Sequence, residues 1–300
     1  MSDPLGLASV FLTCADAGGF SAAGRRLGLS RSSVGKAIAR LEAQLGVRLF
    51  HRTTRTQSLT EDGQVYYERA QRAVRELELA KTLLDTGRRE PSGVLKVTAP
   101  VVLGRRCVAP VLLGLTAEHP ALKLRMTLTD RPIDLVEEGY DLAIRVCAGT
   151  NAAGLMGRRV GRQEMTICAS PAYLQRRGAP RARKDLVGHD LLLYGRAAGP
   201  LPWTLPDGED LATEIPDSGR IWLDDLDALG DAAEMGLGLA WLPCWLVRGR
   251  IRSGALVQVL PDVPRRAFDI MALWPQAPSM PARLRAAVDR LAAELPAASR

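Results

Sequence analysis

The sequence predicts an α/β protein in three parts: a small N-terminal unit of helices with one β-hairpin, a long connecting helix, and a larger domain of alternating strands and helices. Three observations carry this. Positive charge is concentrated in one short window, a proline-free helical pattern runs from Glu61 to about Arg88, and strand-like and helix-like segments take turns from Val94 onward. At 300 residues the chain is long enough for two or three compact units. A hydrophobic content of 47% with 24% charged residues is that of a folded chain rather than a disordered one.

The first helical pair comes from Ala23 and Leu27, then Val34, Ile38, Leu41 and Leu45, two apolar stripes separated by "GLS". Gly28 supplies the turn, Ser30 is a suitable N-cap for the second helix, and Ser21 for the first. Two short helices joined in this way form a helix-turn-helix, whose second helix enters the DNA major groove and meets base edges with its N-terminal end. Here that end carries Arg31, Ser32, Ser33 and Lys36, with Arg40 a turn further on. Short hydroxyls reach bases or phosphates, and Arg and Lys favour guanine and phosphate oxygens. Gly35 interrupts this face at a cost of about 1 kcal/mol against alanine. A residue without a side chain lets the helix backbone lie close to DNA; a neutral position on a solvent face is the plain alternative.

Charge agrees with that reading. Between Ala17 and Thr60 stand eight cations (Arg25, Arg26, Arg31, Lys36, Arg40, Arg48, Arg52 and Arg55) against one acid, Glu42, which accounts for the whole net charge of +7. Such a patch is the footprint of a polyanion partner, with a solvated basic face as the alternative. After Gly46, "VRLFHRTTRTQSLTEDG" reads as a short β-hairpin, a wing. Arg52 and Arg55 at its tip are placed for phosphate or minor-groove contacts, and Thr53 and Thr54 for hydrogen bonds to phosphate. Thr60 caps the next helix, with Gly63 where a full capping box would have Glu.

From 61 to 88 the apolar residues Tyr66, Ala70, Ala73, Val74, Leu77, Ala80 and Leu84 form a stripe. About 25 helical residues span roughly 37 Å. A helix that long at a chain's edge buries its stripe against a partner copy or its own domain; pairing would present two recognition helices to a two-fold symmetric DNA site. "GRREPSG", residues 87–93, is a linker and a domain boundary.

Beyond it, "VLKVTAP" predicts a strand, 103–118 a helix, "LKLRMTL" a strand, "IDLVEEG" a short helix and "YDLAIRV" a strand. "EMTICAS" and "LLLY" continue the strands, and "IWLDDLDALGDAAEMGLGLAWLP" gives strand, helix, strand. "AFDIMALW" and a helix over 281–294 close the chain. Ligand sites in such sheets lie at the carboxyl ends of strands.

The segment "FSAAGRRLGLSRSSVGKAIARLEAQLGVRLFHRTTRTQSLTEDG" resembles the winged helix-turn-helix of LysR-type transcriptional regulators. The likeness rests on Ala22-Ala23, "LS" at 29–30, "IxRLE" at 38–42, "LGVRLF" at 45–50, "RTTR" at 52–55 and "LTEDG" at 59–63. One departure is Gly35, where the family usually has a serine, which removes a hydrogen bond to DNA and bears on which sequence is read. "GVLKVTAP", "DLVEEGYDLAIRV", "ASPAYLQRRG", "GLGLAWLP" and "LVQVLPD" are similar to the family's effector domain. The resemblance therefore implies a DNA-binding domain over 1–60, a linker dimerisation helix and hinge over 61–90, and a periplasmic-binding-protein-like effector domain over 91–300. Its lobe I would cover about 91–164 and 268–300, its lobe II about 165–267, with cross-overs near 164–167 and 266–270.

A cleft with helix N-termini aimed into it favours small anions. The first helix of this domain opens at Pro100, Val101 and Val102, and Arg145 at the end of its strand is the candidate partner for a carboxylate. Thr129 and Asp130, Tyr194, Gly195 and Arg196, Trp222, Asp224, and Leu242 with Pro243 lie at other strand ends and are expected to line the cleft. For each, a core position or an internal ion pair is the plain alternative. Apolar Val101 and Val102 favour aromatic or branched ligands over small polyacids. All five tryptophans lie after residue 200, so intrinsic fluorescence reports on this domain.

The expected partners are double-stranded operator DNA and a small carboxylate or aromatic effector. The resemblance adds a homodimer through the linker helix, a homotetramer, and RNA polymerase. No enzymatic activity, cofactor or metal site is expected: His51, His119 and His189 are far apart, no GxSxG or Walker sequence is present, and "GLGLA" enters a strand rather than following one. Five scattered cysteines, an acidic start without a basic leader, and no apolar run of 18 residues suit reduced thiols in the cytoplasm and no membrane partner. Sulfenate or disulfide chemistry at Cys107 or Cys147, and non-specific architectural DNA binding, are the rival functions.

Overall fold

The computed structural model describes residues 4–51, 58–84, 90–147, 154–196, 199–207, 210–215, 221–277 and 279–299. The chain divides at about residue 87 into two compact units.

The N-terminal unit holds α1 (Pro4–Ala17), α2 (Phe20–Leu27), α3 (Arg31–Leu45) and α4 (Glu61–Leu84). Its core is Phe11, Cys14, Ala23, Val34, Ile38, Leu41, Leu49 and Phe50, all but excluded from solvent. Phe11 meets Phe50 and Tyr66 with ring centroids 5.4 and 5.2 Å apart, so α1 joins the helical pair to the start of α4. Helix α1 goes beyond the sequence expectation, although Leu7, Val10, Phe11 and Cys14 recur at helical spacing. Between α2 and α3, Gly28 takes the left-handed φ of 68° that the tight turn requires. Ser30 caps α3 by accepting from the Ser33 amide at 3.1 Å. Ser21 is not a cap: the Ala23 amide already bonds the Gly19 carbonyl, so α2 begins at Phe20 and Ser21 lies inside it, exposed.

The hairpin stem forms where expected. Phe50 bridges Leu59 antiparallel, the His51 amide donates to the Ser58 carbonyl at 2.9 Å and the Thr60 amide to the Leu49 carbonyl at 3.0 Å. The expected tip residues Arg52, Thr53, Thr54 and Arg55 lie outside the described residues. Thr60 caps α4, its hydroxyl accepting from the Gly63 amide at 2.9 Å and donating to the Arg48 carbonyl at 2.6 Å. Gly63 has a steric reason: a Cβ there would lie 2.0 Å from the Leu49 carbonyl oxygen. Helix and hairpin pack too closely at that point for any side chain.

The second unit begins with β1 (Gly93–Ala99), followed by α5 (Val101–Leu103), a π-helical turn (Gly104–Val108) and α6 (Ala109–Glu118) as one continuous rod. It opens two residues before the expected 103. Then come β2 (Leu122–Leu128), α7 (Leu135–Glu138), β3 (Leu142–Cys147), β4 (Leu155–Ala169), α8 (Pro171–Arg177), β5 (Leu191–Arg196), β6 (Gly199–Pro200), and the hairpin of β7 (Trp203–Asp207) with β8 (Asp210–Ile215). The chain continues through β9 (Ile221–Leu223), α9 (Leu226–Glu234), β10 (Leu239–Pro243), α10 (Cys244–Arg252), β11 (Val257–Val259), β12 (Ala267–Pro275) and α11 (Ala282–Ala298). Helices α8 and α10 and the β7–β8 hairpin are additional to the sequence expectation.

Strand β4 makes two lobes of this unit. Its first half pairs antiparallel with β12, from Leu155 opposite Pro275 to Glu164 opposite Ala267. Its second half changes partner, with Met165 opposite Pro243 and Cys168 opposite Ala240 on β10. The chain therefore crosses between lobes at Glu164–Met165 and returns at Arg266–Ala267, where the Met165 amide bonds the Arg266 carbonyl at 2.9 Å. One lobe is the sheet β2-β1-β3-β12 with β4, its core formed by Leu95, Val97, Leu112, Ile144, Ile270 and Leu291 against α6 and α11. The other is β4-β10-β5 with β9 and β11, with cores on both faces.

Candidate functional site

In the N-terminal unit, Arg31, Ser32, Ser33, Lys36 and Arg40 share α3 and are all exposed. The Ser30 hydroxyl lies 2.8 Å from those of Ser32 and Ser33, ordering three hydroxyls at the helix start. Arg25 and Arg26 at the end of α2 are exposed as well. Glu42, the single acid of this window, is turned inward with 9% of its surface exposed. It accepts from the Leu49 and Phe50 amides at 2.8 and 3.3 Å and pairs with Arg48 at 3.1 Å. Its charge thus fastens the hairpin to α3 and leaves the outer face positive, a role the sequence does not disclose. Gly35 is sterically open: among the described residues an added Cβ would meet only Phe20 Cδ2, at 4.0 Å. The fold itself does not require a glycine there.

In the second unit a cavity of about 420 Å³ lies between the lobes. From lobe I come Pro100, Val102, Leu103, Thr129, Asp130, Arg145 and Val146; Gln163, Met165 and Phe268 stand at the cross-overs. Lobe II contributes Tyr194, Leu201, Pro202, Trp203, Thr204, Asp224, Leu226, Trp241 and Trp245. Of the residues expected in the cleft, Pro100, Val102, Thr129, Arg145, Tyr194 and Asp224 are thus brought together with Asp130. Among the described residues the others do not line it, and the Arg196 side chain lies outside the described residues. Leu242 and Pro243 are buried, Leu242 in the lobe II core, and Val101 presents its amide to Asp130. Trp222 is 49% exposed and its ring covers Gly195, where a Cβ would lie 2.4 Å from Trp222 Cε3. Arg196 ends β5. Tryptophans 203, 241 and 245 are additional to the sequence expectation; the concentration of tryptophan after residue 200 is the signal that points to them.

The electrostatics of the cavity are largely internal. The Val101 amide donates to Asp130 Oδ2 at 3.2 Å, so the chain's own carboxylate caps the helix start expected to hold an anion. The Arg145 guanidinium donates to the Ile144 carbonyl at 2.8 Å and the Thr98 hydroxyl at 3.2 Å. Trp245 Nε1 donates to Gln163 Oε1 at 3.3 Å. Beside the cavity Asp227, 15% exposed, joins the lobes by accepting from Arg105 and, at 2.8 Å, from Arg106. The π turn supplies both arginines from adjacent positions. Burial pushes the thiols of Cys14 and Cys107 up to about 11 and that of Cys168 to about 12, the opposite of an activated cysteine. No group of metal-ligating side chains is present among the described residues, and no described helix is long and apolar enough to cross a membrane.

A winged helix-turn-helix with a positive outer face, followed by a two-lobed α/β domain around a small-molecule-sized cavity, defines a DNA-binding regulator with an effector domain. Comparison with known proteins agrees. The model of the LysR substrate binding domain matches residues 88–296, and that of the bacterial regulatory helix-turn-helix protein, lysR family, matches residues 5–64. The chain is 32% identical to the probable HTH-type transcriptional regulator LtrA of Klebsiella pneumoniae, over 96% of this chain and 94% of that protein. It is 35% identical to the HTH-type transcriptional regulator DmlR of Escherichia coli K12, over 94% and 91%. The solved structure of CrgA, a LysR-type transcriptional regulator from Neisseria meningitidis, superposes with a TM-score of 0.61 at 29% identity, covering 98% of this chain and 99% of that one. The chain belongs to the LysR-type transcriptional regulators, a family of DNA-binding proteins rather than enzymes.

Proposed function

We propose that this protein is a sequence-specific operator-binding regulator acting in the cytoplasm, with α3 as its recognition helix and the interlobe cavity as its effector site. The positive face of α3 carries the first half of this reading: Arg31, Lys36 and Arg40 are exposed, while Glu42, the one acid between Ala17 and Thr60, points inward. Arg31, Ser32, Ser33, Lys36 and Arg40 contact DNA from α3 and Ser21 from α2, while Arg52, Thr53, Thr54 and Arg55 contact phosphate or the minor groove from the wing. The effector is a small carboxylate or aromatic molecule contacting Pro100, Val102, Thr129, Arg145, Tyr194 and Asp224. Lobe movement around it changes the spacing of the DNA-binding units.

Helix α4 is the proposed dimer contact. Ala73 and Leu77, four residues apart on it, are exposed, Leu77 at 43%. Dimers assemble further into tetramers, and RNA polymerase is the partner through which bound DNA is read out. The test is the salt dependence of DNA binding by the full chain. Arg31→Ala with Lys36→Ala should lower the slope of log affinity against log salt by about two units, one for each phosphate no longer neutralised. An unchanged slope removes α3 from the interface.

A further inference from the structure

We infer that the interlobe cavity selects a planar aromatic ligand that carries a hydrogen-bond donor and no negative charge. This rests on the cavity being the effector site and narrows what it takes. Of the two features that would welcome an anion, the helix start already holds a carboxylate of the chain, and the guanidinium is anchored by neutral oxygens. The amide at the helix start is held by Asp130, and the Arg145 guanidinium is held by the Ile144 carbonyl and the Thr98 hydroxyl. A carboxylate entering here would meet the Asp130 charge beside the amide it needs, and like charges at hydrogen-bond range oppose binding.

The remaining charges point the same way. Among the described residues that line the cavity, the charged side chains are Asp130, Asp224 and Arg145, one carboxyl group more than there are cations. Asp224 is exposed and lines the cavity, and a carboxylate there can accept a hydrogen bond from an amine or hydroxyl on the ligand. The walls are rings. Trp203 and Trp241 lie with centroids 6.3 Å apart, Trp241 and Phe268 6.1 Å apart, and Trp245 adds a fourth surface. Ring faces are electron-rich and attract the edges of other rings and cations, not anions. A volume of about 420 Å³ holds a bicyclic ligand with room for its substituent.

The experiment titrates the full chain by calorimetry with three probes of one ring system: 2-naphthylmethylamine, 2-naphthalenemethanol and 2-naphthoate. The amine and the alcohol should bind at least tenfold more tightly than the carboxylate. Asp130→Ala, which frees the Val101 amide and deletes one charge, should raise naphthoate affinity at least tenfold. Naphthoate binding as tightly as the amine and alcohol to the wild-type chain would overturn the inference and leave the cavity as a ligand site. Absence of binding by all three would overturn the cavity reading together with it.

Discussion

Replacing Gly35 by alanine separates what the fold needs from what DNA needs. The position lies in the first half of a 15-residue helix, and among the described residues the new methyl group would touch only Phe20 Cδ2, at an ordinary 4.0 Å. Among the described residues nothing offsets the helix-propensity gain, so Gly35→Ala should stabilise the N-terminal unit by about 0.5–1 kcal/mol. In a unit of this size that is a rise of roughly 2–8 °C in its calorimetric transition. If the glycine serves close approach of the helix backbone to DNA, the same methyl should weaken binding to duplexes that the wild-type chain selects from a random pool, by tenfold or more. Fluorescence anisotropy with a labelled duplex reads that loss. A higher transition with unchanged affinity would refute the close-approach reasoning; no rise in the transition would refute the steric one.

Other substitutions follow from the same geometry. Gly63→Ala should act with opposite sign to Gly35→Ala, because its Cβ would meet the Leu49 carbonyl oxygen at 2.0 Å; calorimetry should show a lower transition. Glu42→Ala strands the buried Leu49 and Phe50 amides and should destabilise the unit by about 1–3 kcal/mol, measured by denaturant unfolding. His189, packed against Tyr173, has its pKa lowered first by burial and then by Arg177. The unfolded chain thus binds its proton first on acidification, so stability should be full above the ordinary histidine range and fall as pH drops through it; His189→Gln should flatten that segment of the melting curve. Cys14, Cys107 and Cys168, with thiols raised by burial to about 11 or 12, should resist alkylation at pH 8 until the chain is unfolded.

Much of the N-terminal unit is legible in the sequence because its signals are local. A glycine turn, a serine cap and two apolar stripes specify α2 and α3 within about twenty-five residues. Helix α1 escapes such a reading because its stripe is short and its partners, Phe50 and Tyr66, lie far along the chain. The inward turn of Glu42 is equally hidden, since a lone acid among cations reads as surface until the hairpin amides are seen to meet it. In the second unit, alternation discloses the strands, but not the change of partners along β4 on which the two lobes depend. The cavity is only half legible. Residues at strand ends can be named, yet whether each side chain faces the cavity depends on strand twist and register. Leu242 points into a core and Trp222 lies over Gly195, while Trp203 and Trp245 reach the cavity from a hairpin and a helix. The capping of Val101 by Asp130, twenty-nine positions away, cannot be read from either residue alone.

The most direct test of the account is selection of duplex DNA from a randomised pool by the full-length wild-type chain. The account predicts enrichment of paired half-sites related by two-fold symmetry, their centres one helical turn or a multiple of it apart. A pool that remains random while binding stays strongly salt-dependent would contradict it, leaving a protein that holds DNA by charge alone.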